Sequence, residues 1–528
     1  MVNDRELRAL SISVRVLLVA AAMALTVLAA AGIVWAQEVG TPPADPSDLT
    51  ATAASSSQID LNWADHATDE SAYVVERSPD GSTDWTQVTS TLPADSTSYS
   101  DTGLSGSTTY HYRVVATNAA GDSGYSNTAS ATTNAVGPGP SPVLNSTPDD
   151  VWMTNGIVYS VVRSGDYIYV GGKFTRVRQS PTGKSFAATN LARFRADTGV
   201  GDASWTPDVT GVDMTKVIVY EVAAADGKIW VGGRFGAVDG VTRHNLAAVS
   251  PDTGVVDPTI DPVVGTETSI VHTILPSHIT PRVYIGGAFG TVDGKGRRNL
   301  AAIKFSGDVD LAWKPKVDKP AVRSLAFGCG NTPEETMFAT GQFRNAAGSD
   351  GVFSPRENIA LFNTASGSLN PWAVPTGTVG ADEPGLDLAV SCTPGLERVT
   401  VPFSGPNILR SFRLDTGNTG TLAWRLKNGG EAQTAAMLGP NKLIIGGHFS
   451  QLEDVNGGQN IKRERLAQLN LSDGTVDPWN PRASGKDGAA AIGPWDLLVD
   501  DNHLYVGGGF YQVGDLARTH FARFTFTP

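Results

Sequence analysis

Val170-Gly171-Gly172-Lys173-Phe174 is a β-forming run that ends in Gly-Gly-x-Phe, and the chain returns to it again and again. It recurs as Val231-Gly232-Gly233-Arg234-Phe235 and Ile285-Gly286-Gly287-Ala288-Phe289. Further copies are Thr340-Gly341-Gln342-Phe343, Ile445-Gly446-Gly447-His448-Phe449 and Val506-Gly507-Gly508-Gly509-Phe510. The Phe-to-Phe steps are 61, 54, 54, 106 and 61 residues. The long step is two of 53, with a worn copy, Val401-Pro402-Phe403-Ser404-Gly405, inside it. Seven units result, and a fixed period of this size outranks any single-residue motif.

Each unit continues alike. A second run follows, as in Asn190-Leu191-Ala192-Arg193-Phe194, Asn245-Leu246-Ala247 and Asn299-Leu300-Ala301. Then come a turn (Asp197-Thr198-Gly199, Asp252-Thr253-Gly254, Asp415-Thr416-Gly417) and a Trp near the unit's end: Trp205, Trp313, Trp372, Trp424, Trp479. The second unit has Pro258 instead. An apolar run precedes each signature, as at residues 157–162 and 270–275. Three strands and a shorter fourth in about 50 residues describe a propeller blade. The Gly pair lets strands approach where a side chain would clash.

The repeat resembles kelch-type and related secreted bacterial propellers, including those similar to the polarity-marker propellers of fungal cell surfaces. The resemblance implies a seven-bladed β-propeller over residues 148–528, within an all-β chain. It implies little about activity, because propellers host many. The seventh unit stops at Phe526-Thr527-Pro528 without a terminal Trp, while Asp150-Val151-Trp152 precedes the first. Residues 148–155 are therefore expected to supply the outer strand of blade seven and remove the ring's open edges.

Outward from the repeat, residues 43–133 alternate as strands do. Ile59, Leu61 and Trp63 share one face, Tyr73 and Val75 another, and Tyr112 and Val114 alternate with His111 and Arg113. Asp80-Gly81, Leu92-Pro93-Ala94-Asp95 and Ser105-Gly106 supply turns. Pro46-Ser47-Asp48-Leu49, Trp63, Tyr73-Val74-Val75-Glu76-Arg77 and the run from Leu104 through Tyr110, Tyr112-Arg113-Val114 and Asn118 to Gly121 resemble a bacterial fibronectin type III domain. The resemblance implies a β-sandwich with Tyr110 as the corner tyrosine. Residues 78–85 have the wrong order for an Asp-box, and Ala120 stands where an Arg-Gly-Asp signal needs Arg. Residues 134–147 form a linker in which Pro138, Pro140 and Pro142 favour an extended spacer.

Arg5, Arg8 and Arg15 precede an apolar run over residues 16–36, and Val34-Trp35-Ala36 suits a signal peptidase. Residues 1–36 are either a signal peptide cleaved to leave Gln37 first, or an uncleaved anchor long enough to span a bilayer. No Arg pair marks a twin-arginine signal, so the general secretory route is expected and the remainder lies outside the membrane. An extracellular or cell-surface location follows, with membrane contact only through an uncleaved helix.

Of 528 residues, 53 are acidic and 40 basic, a net charge of −13. Residues 42–134 hold 12 acids against Arg77 and Arg113 alone. This balance argues against nucleic acid as a partner.

An exported chain with two cysteines, Cys329 and Cys392, favours a disulfide between adjacent blades. Equivalent positions in neighbouring blades also leave two free thiols possible. Val238-Asp239-Gly240-x-x-Arg243 recurs as Val292-Asp293-Gly294-x-x-Arg297, with Arg356, Arg463 and Arg518 similarly placed. Such recurrence reads as structural, with a repeated binding surface as the sharper alternative. The eight His show no ligand spacing, and nothing matches the Tyr–Cys and paired-His site of kelch-fold copper oxidases. Residues 454–460 read as an insertion loop or, more sharply, a calcium loop. No Gly-x-Ser-x-Gly and no phosphate-cradling loop occur. Glu334/Glu335 and Asp500/Asp501 are sequence neighbours and make poor acid–base pairs. No catalytic residue, metal or cofactor is expected.

Aligned inner strands give one position per blade: Tyr159, Tyr220, His272, Arg323, Leu386, Gln433 and Trp495. The next position is small or acidic: Ser160, Glu221, Thr273, Ser324, Asp387, Thr434 and Asp496. A packing position would repeat one residue type, whereas the first set varies. Packing between blades competes with a ligand site formed by Tyr159, Tyr220, His272, Arg323, Gln433 and Trp495 near the central channel. Aromatic faces suit sugar rings, and Arg and Gln supply hydrogen bonds. The expected function is non-catalytic binding or adhesion to an extracellular glycan, envelope polymer or protein. The alternatives are a glycan-active hydrolase or lyase and a purely structural envelope component.

Overall fold

The computed structural model describes residues 41–527, except 55–57, 89–91, 105–107, 134–142, 180–182, 278, 319–320, 330–333, 416, 454–459, 486–492 and 501. The segment read as a signal or anchor, 1–36, most of the segment read as a linker, and the candidate calcium loop apart from Asn460 lie outside the described residues. Those described are all-β, with no α-helix and one 3-10 turn, Met214–Lys216. None of their helices is long and apolar enough to cross a membrane.

Residues 44–132 form a β-sandwich. Ser47–Ala53, Gln58–Ala64 and Ser98–Thr102 make one sheet, and Ala72–Ser78 pairs with Thr109–Asn118 in the other. Strand alternation sends Ile59, Leu61 and Trp63 inward to meet Tyr73, Val75, Tyr110, Tyr112 and Val114. Arg77 and Asp101 are buried together at 2.8 Å, and the Tyr112 hydroxyl donates to the same carboxylate.

Beyond the sandwich, the described residues form seven successive strand units. The first is Ile157–Ser164, Tyr167–Lys173 and Leu191–Arg195, three antiparallel strands in that order. The last is Pro494–Val499, His503–Gly508 and Phe521–Thr527. The hydrophobic cores lie between units. Leu191 of the first packs with Val219 and Val231 of the second. Leu466 of the sixth packs with Val506 of the seventh. Tyr505 and Phe521 of the seventh share a core with Val158 and Val170 of the first, so the series of cores returns to its start.

Both glycines of the signature are explained. A Cβ on Gly232, the first of its pair, would lie 2.7 Å from Val271 in the next unit. A Cβ on Gly233 would strike the Ile218 carbonyl of its own unit at 2.2 Å. The fourth unit has Thr340 in place of the first glycine, and there the next unit supplies Gly385 against it. The terminal Trp also ties units together. Trp205 Nε1 donates to the Ser250 carbonyl and Trp424 Nε1 to that of Leu471, each in the following unit.

The closing strand differs from the one expected. Val143–Leu144 pairs antiparallel with the last strand, Val143 opposite Thr527 and Leu144 opposite Phe526. Trp479 Nε1 donates to the Asn145 carbonyl, as Trp205, Trp313 and Trp424 do to carbonyls of their next units, whereas Trp372 Nε1 has no partner. Of residues 148–155, Asp149 still binds the seventh unit through Arg523 and Thr525. Met153–Thr154 instead pairs within the first unit, and Trp152 packs on Phe186 there. The closing strand thus begins inside the segment read as linker. Leu144 is apolar and buried in the last core, which the proline-rich context obscured.

The recurring arginines are structural. In Arg243, Arg297, Arg356 and Arg463 one guanidinium nitrogen donates to the preceding residue's carbonyl and another to a carbonyl 13 or 14 residues on. Arg518 also donates to the preceding carbonyl, that of Ala517, but its other nitrogens reach Asp149 and Asp150, across the closure. Cys329 and Cys392 form a disulfide, with Cα atoms 5.3 Å apart.

Candidate functional site

Six inner strands carry a break in register at one equivalent place. It falls between Val158 and Ser160, Val219 and Glu221, Val271 and Thr273, Val322 and Ser324, Ala432 and Thr434, and Pro494 and Asp496. The skipped residues are Tyr159, Tyr220, His272, Arg323, Gln433 and Trp495. Each is the extra residue of a β-bulge, which frees its side chain from the ladder and re-aims it. Leu386 holds the same place in the fifth unit, beside the Gly385–Phe403 bridge.

Four of these side chains touch in series. The Tyr159 ring lies 5.2 Å from Trp495 and 5.3 Å from Tyr220, and Tyr220 lies 5.0 Å from His272. All four are half-buried, so the arc spans units seven, one, two and three with its faces partly open. Burial, aided by the Arg323 charge, pushes the His272 imidazole down to about 3 and keeps it neutral. Burial beside Tyr220 pushes the Tyr159 hydroxyl up to about 12. Arg323 is exposed at the end of the arc.

The Trp495 end of the arc carries unpaired polar atoms. Gln433 is 5% exposed and its Oε1 has no hydrogen-bond partner. Trp495 Nε1 and His448 Nε2 are likewise buried without partners. The His448 ring stands 6.3 Å from Trp495, and burial lowers its pKa. Sequence reading missed His448. Its signal was available, since it is the variable residue of Gly-Gly-x-Phe in the sixth unit.

One residue further along each strand lies a tier of hydrogen bonds between units. Ser160 Oγ donates to Glu221 Oε1 at 2.8 Å. Asp496 accepts from the Val161 N–H at 2.7 Å and the Leu497 N–H at 2.8 Å. Asp387 accepts from Ser324, Thr434 and the Ala435 N–H at 2.8–3.0 Å. Burial raises all three carboxyls, Asp496 to about 7, and their mutual repulsion adds to it for Glu221 and Asp496.

Residues 44–132 match the family model for the fibronectin type III domain, and this segment is such a domain. Among solved structures, a titin fragment is 26% identical over 18% of this chain and 32% of its own, with a TM-score of 0.16. The chain thus spans about a third of that first relative. A fibronectin-III-like protein from Clostridium thermocellum is 30% identical over 17% of this chain and 92% of its own, TM-score 0.16. A β-1,2-glucanase from Parabacteroides distasonis is 29% identical over 18% of this chain and 13% of its own, TM-score 0.15. No curated protein matches the chain.

Proposed function

We propose that residues 143–527 are a seven-bladed, kelch-like β-propeller and that its bulge-borne mouth binds an extracellular glycan without catalysis. The observation that carries this reading is the ring-to-ring arc Trp495–Tyr159–Tyr220–His272, flanked by Arg323 and Gln433. Aromatic faces in series, with hydrogen-bonding groups at the two ends, complement a sugar's apolar face and its hydroxyls. The fibronectin domain acts as an acidic spacer. A disulfide between blades four and five fits an exported protein, because such bonds persist outside the reducing cytosol.

A second reading, a glycan-active enzyme, has one observation in its favour: carboxyls with raised pKa near the bulges, as a general acid needs. Against it, Asp387 and Asp496 already spend both oxygens on neighbouring blades or their own backbone. They read as staples.

A glycan array probed with the exported protein, followed by a reducing-sugar assay on each hit, tests the proposal. Binding without release of reducing ends is expected. Release would establish the enzyme, and an array without hits would remove the glycan reading. Trp495→Ala and Arg323→Ala should each weaken binding about tenfold, about 1.4 kcal/mol, at an unchanged melting temperature.

A further inference from the structure

The sandwich gathers three acids that stand apart in the sequence. Asp65 follows the strand Gln58–Ala64, Glu70 precedes Ala72–Ser78, and Asp95 lies in the turn after Leu92–Pro93. One carboxylate oxygen from each lies within 4.8 Å of those of the other two. Oxygens bound to one calcium ion, each at about 2.3–2.6 Å, are separated by no more than about 5 Å.

The oxygens are not all used by the protein. Asp65 Oδ1 accepts from the Ala67 N–H at 2.9 Å and from the Tyr73 hydroxyl. Glu70 Oε1 accepts from the Asp95 N–H at 2.9 Å. Glu70 Oε2 is buried and receives no hydrogen bond, on a residue only 8% exposed. A buried carboxylate oxygen without a donor is costly unless something positive meets it. The domain's own cations are committed elsewhere: Arg77 pairs with Asp101 and Arg113 with Glu76, and residues 42–134 contain no other Lys or Arg. His66 contacts Ser47.

We propose that Asp65, Glu70 and Asp95 form a calcium site at this end of the fibronectin domain. Three hard carboxylate donors and a fully buried free oxygen select a hard divalent cation, and their loop-borne placement suits calcium's flexible geometry over magnesium's strict octahedron.

Terbium serves as the probe, because Tyr73, beside Asp65, and Trp63, 5.7 Å from Tyr73, are placed to sensitise its emission. The chelator-treated full chain should show saturable sensitised emission, displaced by calcium at far lower concentration than by magnesium. Calcium should also raise the sandwich's unfolding temperature. Glu70→Gln and Asp95→Asn should each weaken terbium binding at least tenfold and abolish the calcium-dependent rise. Asp95 is exposed in a turn, so its variant keeps the fold. Emission unchanged in both variants, or an unfolding temperature indifferent to calcium, would overturn the site. An unfolding temperature raised by Glu70→Gln with no metal response would show that a shared proton occupies the pocket.

Discussion

Asn190, Asn245, Asn299 and Asn358 hold left-handed backbone angles, with φ of 67°, 67°, 68° and 69°. Each Oδ1 accepts the N–H of the signature Phe, and in three of them Nδ2 is seen to reach a carbonyl farther along the chain. Asn tolerates this conformation better than most residues, so one side chain solves both the backbone and the hydrogen-bond problem. The sixth unit has Arg465 there at φ 67°, and its guanidinium covers only the carbonyl, that of Ala483. Arg465→Asn is expected to stabilise the protein by about 1 kcal/mol, read as a higher thermal midpoint. A lower midpoint would mean that the arginine's packing outweighs the backbone cost.

At the scale of the element, facing strands in adjacent units match large against small. Gly232 faces Val271, and where Thr340 replaces the glycine, Gly385 replaces the valine. Gly232→Ala should therefore cost about 1–3 kcal/mol through overpacking. Adding Val271→Ala should recover part of that loss, giving a favourable coupling in a double-mutant cycle by denaturant unfolding. Strict additivity would show that the two residues do not share the contact. This element was legible in sequence because the constraint repeats, whereas the worn fifth unit was legible only through its spacing. The bulge was not legible, since a one-residue break in pairing leaves no compositional trace. Only the odd variability of the six side chains pointed to it.

Across the whole molecule, the buried carboxyls of Glu221, Asp387 and Asp496 make stability depend on pH. An unfolded Asp ionises near 4, while Asp496 holds its proton to about 7. The raised group contributes stability that is complete below about 4 and is lost as pH rises towards 7. Glu221 and Asp387 act in the same direction. The thermal midpoint should fall from pH 5 to pH 8, and Asp496→Asn should flatten that slope. A midpoint that rises across this range would contradict the assignment. Closure is the other property of the whole. Removing residues 143–149 strips the last strand of its partner and Trp479 of its acceptor. The loss should lower the thermal midpoint far more than removing residues 43–133, a separate folding unit. Equal losses would show that the closing strand carries no weight. The order of the units was readable in the sequence. The exact closing residues were not, because two paired residues in a proline-rich tract carry no periodic signal.

The pairing of Val143 with Thr527 also sets an order in time. A ribosome makes this chain from the amino end, so Val143 and Leu144 wait, unpaired, while every later unit is synthesised. Until then the first unit's Val158 and Val170 lack the Tyr505 and Phe521 that will cover them. The unit made first is therefore the one whose cover is made last.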